Sequence, residues 1–180
     1  NCQKRPQRLF EERELSVDEC AGYLQKAINL LKSQTAASGS SEGTLKVIIT
    51  VSPIRYAKYG YHGSQLSKAT LLLAADKLVK ENPGVVSYFP AYEIMNDELR
   101  DYRFYKEDML HPSEQAVEYI WERFRATYFG KAAEQFLEDW RPIREALGHK
   151  PFHPESEEHQ KFIARTEEKK RQFEEKYHLL

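Results

Sequence analysis

The sequence predicts an α/β domain with a parallel sheet, and three observations carry that prediction. Helical and strand-like segments alternate in the order helix, strand, helix, strand, helix. The two strand-like runs, residues 45–51 and 85–89, are rich in apolar and β-branched residues, as strands covered on both faces are. The 180 residues fit one domain, and 41% hydrophobic residues are enough to build its core.

The elements follow in order. Residues 16–33 read as a helix: Ser16 is the N-cap, and Glu19 three residues on completes a capping box. Val17, Cys20, Leu24, Ile28 and Leu31 recur at helical spacing and mark its buried stripe. A small-residue loop at 35–44 leads to the first strand, which Ser52-Pro53 ends. Residues 64–80 are helical again, with Leu66, Ala69, Leu72, Leu73, Ala74, Leu78 and Val79 as the apolar set and Asn82-Pro83-Gly84 as the stop. The second strand closes at Pro90. A third helix spans about 113–129, with Ala116, Val117, Ile120, Trp121 and Phe124 inward and Pro112 just before it. Residues 131–180 are charged and helical and divide near 148–154.

This gives two domains: residues 1–130 as the α/β part and 131–180 as a helical extension packing on it. Two strands are too few for a doubly wound sheet, which normally has about five or six. The expectation is therefore that further strands pair with this chain or precede it. The first residue, Asn1 rather than Met, agrees with a piece of something longer.

Charge narrows the function classes. The net charge is −1, with basic and acidic residues interspersed, so no nucleic-acid surface is expected. No apolar run approaches the ~20 residues of a membrane span. Two cysteines, Cys2 and Cys20, lack a disulfide framework and read as reduced thiols of a cytoplasmic protein. No cofactor and no metal are expected. His149 and His153 are separated by Lys150-Pro151, which breaks the helix that a shared metal face needs.

Three segments bear chemistry. Gly39-Ser40-Ser41-Glu42-Gly43 matches G-x-S-x-G, but it lies between a helix and the following strand. A nucleophile elbow lies between a strand and the following helix, so this segment reads as a loop. Asp108 and His111, in Asp108-Met109-Leu110-His111-Pro112, are three apart on the loop that enters the third helix. A carboxylate there binds one ring nitrogen and orients the other as a general base. Helix capping by Asp108 with a plain surface His111 is the alternative. Ser52-Pro53-Ile54-Arg55 leaves the carboxyl end of the first strand, where open α/β sheets bind ligands. Arg55 suits a substrate carboxylate or phosphate, or a structural ion pair. Tyr88, Phe89, Tyr92, Tyr102, Phe104 and Tyr105 read as core and rim. Lys169-Lys170-Arg171, interleaved with glutamates, reads as a solvated helix with ion pairs.

Several segments together resemble the GSCFA family, a branch of the SGNH hydrolase superfamily. They are Asn1-Cys2-Gln3-Lys4, Thr50-Val51-Ser52-Pro53-Ile54-Arg55, Ser67-Lys68-Ala69, Tyr88-Phe89-Pro90-Ala91-Tyr92-Glu93-Ile94, the run from Asp97 to Tyr105, Asp108-Met109-Leu110-His111-Pro112-Ser113, and Pro151-Phe152-His153-Pro154-Glu155-Ser156. They occur in order over nearly the whole chain. The resemblance implies a three-layer α/β/α sandwich with a parallel sheet whose first strands are absent here. It implies a serine esterase or acyl hydrolase with a Ser-His-Asp triad. Asp108 and His111 match the family's D-x-x-H partners, and Ser52 and Arg55 fall in the loop facing the substrate. The implied partner is a small-molecule or carbohydrate ester, with association to the missing N-terminal half or another chain.

The sequence departs from the family pattern in three places. No G-S-C-F-A segment carrying the nucleophile is present, Gln3 stands where His is common, and Tyr56 stands where a His often follows the Arg. The 180 residues alone are therefore expected to be inactive. A non-catalytic binding or scaffolding module, and an acyltransferase with the same triad, remain as alternatives.

Overall fold

A computed structural model describes residues 5–37, 45–151 and 155–179. The segment Gly39–Gly43, Cys2 and His153 lie outside them. The described chain forms two compact units, Asn1–Trp121 and Glu122–Leu180.

In the first unit, helix α1 (Val17–Ala37) starts where the capping box predicts. The Ser16 hydroxyl accepts from the Glu19 amide at 3.2 Å, and the Glu19 carboxylate accepts from the Ser16 amide at 2.9 Å. Those bonds and Arg13 hold the Glu19 carboxyl down at about 2. Strand β1 (Val47–Ile49) pairs in parallel with β2 (Val86–Tyr88), and helix α2 (Gly60–Glu81) crosses between them. Ala21 and Ile28 of α1, Ala74 and Leu78 of α2, and Val86 of β2 form one core, with Val47 and Ile49 packed against it.

A buried amide joins the two helices. Asn82, at the end of α2, donates to Gln25 at 2.6 Å and to the Leu78 carbonyl at 3.0 Å. Its oxygen accepts from Gln25 and from Lys32. Gly84 then takes φ +75°, a left-handed turn that glycine adopts without steric cost, and β2 begins.

The expected three-layer α/β/α sandwich is not what forms. The chain is 69% helical, and the described residues hold one sheet of two strands. The physical reason lies in the apolar pattern. Only two segments have the extended, β-branched character of strands, and α1 and α2 share one core with that small sheet. With no further layer, residues predicted inside are outside: Leu24 is 43% exposed, Leu66 56%, Leu73 58% and Val117 56%. Leu31, Ala69 and Trp121 are exposed as well.

After β2 the chain makes a short helix, α3 (Ala91–Glu93), which widens into a π-helical turn, Ile94–Leu99. A 3-10 turn at Tyr102–Phe104 and the loop that follows lead to α4 (Glu114–Tyr128). Met95, Leu99 and Ala116 are buried together here, with Phe104, Tyr105, Tyr119 and Ile120 against them. This second core underlies the 105–112 loop.

In the second unit, α5 (Lys131–Gly148) and α6 (Glu157–Lys176) pack on each other. Phe136, Trp140, Phe173 and Tyr177 meet edge-to-face or tilted at 4.7–5.1 Å between centroids. Asp139 bonds Lys176 at 2.5 Å and the Tyr177 hydroxyl at 2.7 Å, and those partners with Gln135 hold its carboxyl at about 2. The basic stretch is ion-paired as its spacing suggests: Arg171 bonds Glu168 and Glu175, and Lys170 faces Glu174. No helix among the described residues is long and apolar enough to cross a membrane. Cys20 is a half-buried free thiol.

Candidate functional site

The loop between the 3-10 turn and α4 is closed by its own backbone. Tyr105 and Pro112 form an antiparallel bridge. The Lys106 amide donates to the His111 carbonyl at 2.8 Å, and the Ser113 amide donates to the Phe104 carbonyl at 2.7 Å. Ser113 then accepts from the Ala116 amide and opens α4. Inside the closure, Met109 donates to the Lys106 carbonyl and sits at φ +57°, in the left-handed region uncommon for a non-glycine residue.

Asp108 uses both carboxylate oxygens on this loop. Oδ1 accepts from the Leu110 amide at 2.9 Å and the His111 amide at 3.0 Å. Oδ2 lies 2.5 Å from His111 Nδ1. The two amides, His111's first, and then the His111 ring favour the charged carboxylate and hold it at about 2, well below the usual aspartate range. A carboxylate only accepts, so Nδ1 carries the proton and Nε2 presents its lone pair. Among the described residues nothing is hydrogen-bonded to Nε2. Both side chains are about half exposed, at 43% and 53%. The pair is therefore present, but Asp108 caps no helix: its amide partners lie in the loop, and Ser113 caps α4.

Arg55 comes to this loop from the end of β1. Its backbone amide donates to the Leu110 carbonyl at 3.1 Å, and Nη1 donates to the Met109 carbonyl at 3.3 Å. Its guanidinium lies 4.0 Å from the Tyr105 ring centroid and 5.9 Å from that of Tyr102. Arg55, Asp108, Met109 and Leu110 border a cleft of about 550 Å³ with Tyr56, Tyr61, Ser64, Gln65 and Tyr102. Its exposed aromatic rim is Tyr56, Tyr61 and Tyr102. Ser52 is exposed at the end of β1. Its hydroxyl accepts from the Ile54 amide at 3.3 Å, so it serves its own turn and lies outside the residues that line the cleft.

Lys68 is a residue that sequence reasoning passed over. It is 8% exposed on α2, and its ammonium donates to the Ser52 carbonyl at 2.5 Å. Burial lowers its pKa. The signal was present: Ser64 and Lys68 are polar residues one turn apart on the helix face that also carries Ala75 and Leu78. Ser64 is buried too, and accepts from the Tyr56 amide at 3.2 Å. No cluster of three His, Cys, Asp or Glu side chains suited to a metal occurs among the described residues.

The arrangement is an oriented imidazole on the loop whose Asp108, Met109 and Leu110 line an open, tyrosine-rimmed cleft; His111 itself is not among the lining residues. That chemistry accepts a proton from a nucleophile or returns one to a leaving group. No curated protein and no solved structure matches this chain. Family profiles do match it: that of the GSCFA family over residues 1–124, and that of the GSCFA domain protein, C-terminal domain, over residues 140–180. The first match spans Arg55, Lys68, Asp108 and His111, so the clasped loop and its cleft lie within the family's own domain, and the chain belongs to the GSCFA family.

Proposed function

We propose that the protein is a serine esterase or acyl hydrolase of the SGNH type, and that Asp108 and His111 are the acid–base half of its triad. The observation that carries this is the 2.5 Å pair between Asp108 and His111 Nδ1, built by the loop's own amides and leaving Nε2 without a hydrogen-bond partner among the described residues. In this reading a serine supplied from outside these 180 residues attacks the ester carbonyl while its proton passes to Nε2. The tetrahedral adduct collapses, and the departing alcohol takes that proton. Water then repeats the sequence on the acyl-enzyme and releases the acid. Asp108 stays ionised throughout and stabilises the imidazolium. The substrate is a small-molecule or carbohydrate ester held in the cleft beside Asp108, and the setting is cytoplasmic, in keeping with the free Cys20 thiol.

An acyltransferase uses the same steps with an alcohol in place of water. A non-catalytic binding module is favoured by one observation: no hydroxyl or thiol among the described residues is bonded to Nε2. A fluorophosphonate probe on the full-length gene product separates these readings. Labelling of the wild type that is lost in His111→Ala supports the triad. An unlabelled wild type supports the binding module.

A further inference from the structure

We propose that Arg55 is a positioning residue for His111, and that Lys68 anchors the strand end from which Arg55 reaches it. The proposal rests on the reading of His111 as the base. It assigns Arg55 to the protein's own loop and leaves substrate anions to other groups.

The bonding of Arg55 carries the argument. Two successive carbonyls, of Met109 and Leu110, lie between Asp108 and His111, and a single residue takes both of them. The guanidinium lies over the ring of Tyr105, the residue whose bridge to Pro112 closes the loop. Arg55 therefore touches the loop at its tip and at its neck. Met109, held left-handed at φ +57°, keeps such a conformation only where its surroundings over-determine it. Its amide is tied to Lys106 within the loop, and its carbonyl is tied to Arg55 from outside. That turn aims the Leu110 and His111 amides at Asp108, and through Asp108 it sets the imidazole.

Lys68 supplies the other end of the brace. A buried ammonium is costly unless it is hydrogen-bonded, and a backbone carbonyl is its acceptor here. It fixes the Ser52 carbonyl, three residues before Arg55. The Tyr92 ring lies 5.8 Å from the ammonium and shields it. The brace thus runs from α2 through the end of β1 to the 108–111 turn.

The test compares wild type, Arg55→Ala and Arg55→Lys in the full-length gene product, with two readouts. The first is the Asp108 carboxyl titration followed by NMR. Loss of the clamp releases the Leu110 and His111 amides, so the midpoint rises from about 2 toward the ordinary ~4 in Arg55→Ala. Both variants keep the backbone bond to Leu110; Arg55→Lys also keeps a cation within reach of the Met109 carbonyl but loses the planar guanidinium over Tyr105, and shows a smaller rise. The second readout is turnover of p-nitrophenyl acetate, a neutral ester. A misplaced base costs on the order of 10²-fold in kcat with KM nearly unchanged, and added guanidinium restores part of the rate in Arg55→Ala. An unmoved Asp108 midpoint in both variants overturns the proposal. So does a KM that rises for anionic esters alone, which makes Arg55 a substrate contact. If the wild type turns over no ester, the hydrolase reading falls, and the Asp108 titration still decides the clamp.

Discussion

Replacing Asp108 by Asn separates its two duties. The side-chain oxygen of Asn accepts from Leu110 and His111 as Oδ1 does now at 2.9 and 3.0 Å, so the turn has the bonds it needs to close. The other position, 2.5 Å from Nδ1, becomes an NH2 donor. It requires an unprotonated Nδ1, which moves the proton to Nε2 and removes the lone pair that the mechanism uses. An amide in place of a triad carboxylate costs about 10⁴ in kcat, and the same loss is expected here with KM little changed. The tautomer is readable without turnover, from imidazole ¹⁵N shifts at high pH: Nδ1–H in the wild type and Nε2–H in Asp108→Asn. Stability follows the carboxyl's low pKa. A folded-state value of about 2 against an unfolded ~3.9 gives Asp108 a stabilising role above about pH 4 that is lost as pH falls toward 2. The variant therefore melts below the wild type near neutrality and matches it near pH 2. Wild-type kcat in Asp108→Asn, or an unchanged tautomer, refutes the claim that Asp108 sets the base.

Three further outcomes follow from packing and charge. Leu78→Ala, at a fully buried position in the first core, is expected to cost ~2–5 kcal/mol in urea unfolding; a loss under about 1 kcal/mol means that the site collapses freely or was never packed. Asp139, also held at about 2, clasps α6 to α5, so its contribution is present above about pH 4 and lost toward pH 2. Asp139→Asn should narrow the gap between denaturant midpoints at about pH 5 and about pH 2.5, and an equal gap in both proteins contradicts the clasp. Pro142 lies inside α5, where it removes one helix hydrogen bond, so Pro142→Ala should raise stability by up to ~3 kcal/mol in the same assay; a fall shows that the proline's geometry is needed.

Local features were legible because local physics decides them. The Ser16–Glu19 capping box, the stop at Asn82-Pro83-Gly84 and the break between α5 and α6 depend on neighbouring residues, and the structure has them. The Asp108–His111 pair belongs to the same class, because a three-residue spacing on a turn lets one carboxylate reach both amides and the ring. Layering was not legible. Periodicity shows that Leu24, Leu66, Leu73 and Val117 lie on apolar faces, but whether anything covers those faces depends on elements far away in sequence. The two strand-like runs are the two strands that the described residues contain, whereas the three-layer sandwich rested on the family resemblance and is not what forms. The brace was hidden for a similar reason. Arg55 meets Met109 and Leu110 mainly through their backbone carbonyls, and Lys68 meets the carbonyl of Ser52, and backbone groups carry no sequence signal. What the sequence did offer was Lys68 on the buried face of α2, where a charge is expensive enough to require a purpose.

The central claim is that His111 Nε2 is the base of an ester-cleaving site. The most direct test is hydrolysis of a panel of acyl esters by the full-length gene product and by its His111→Ala variant, both shown to be folded by their melting curves. The account predicts turnover in the wild type and a loss of at least about 10³-fold in the variant. Turnover that survives His111→Ala would contradict it.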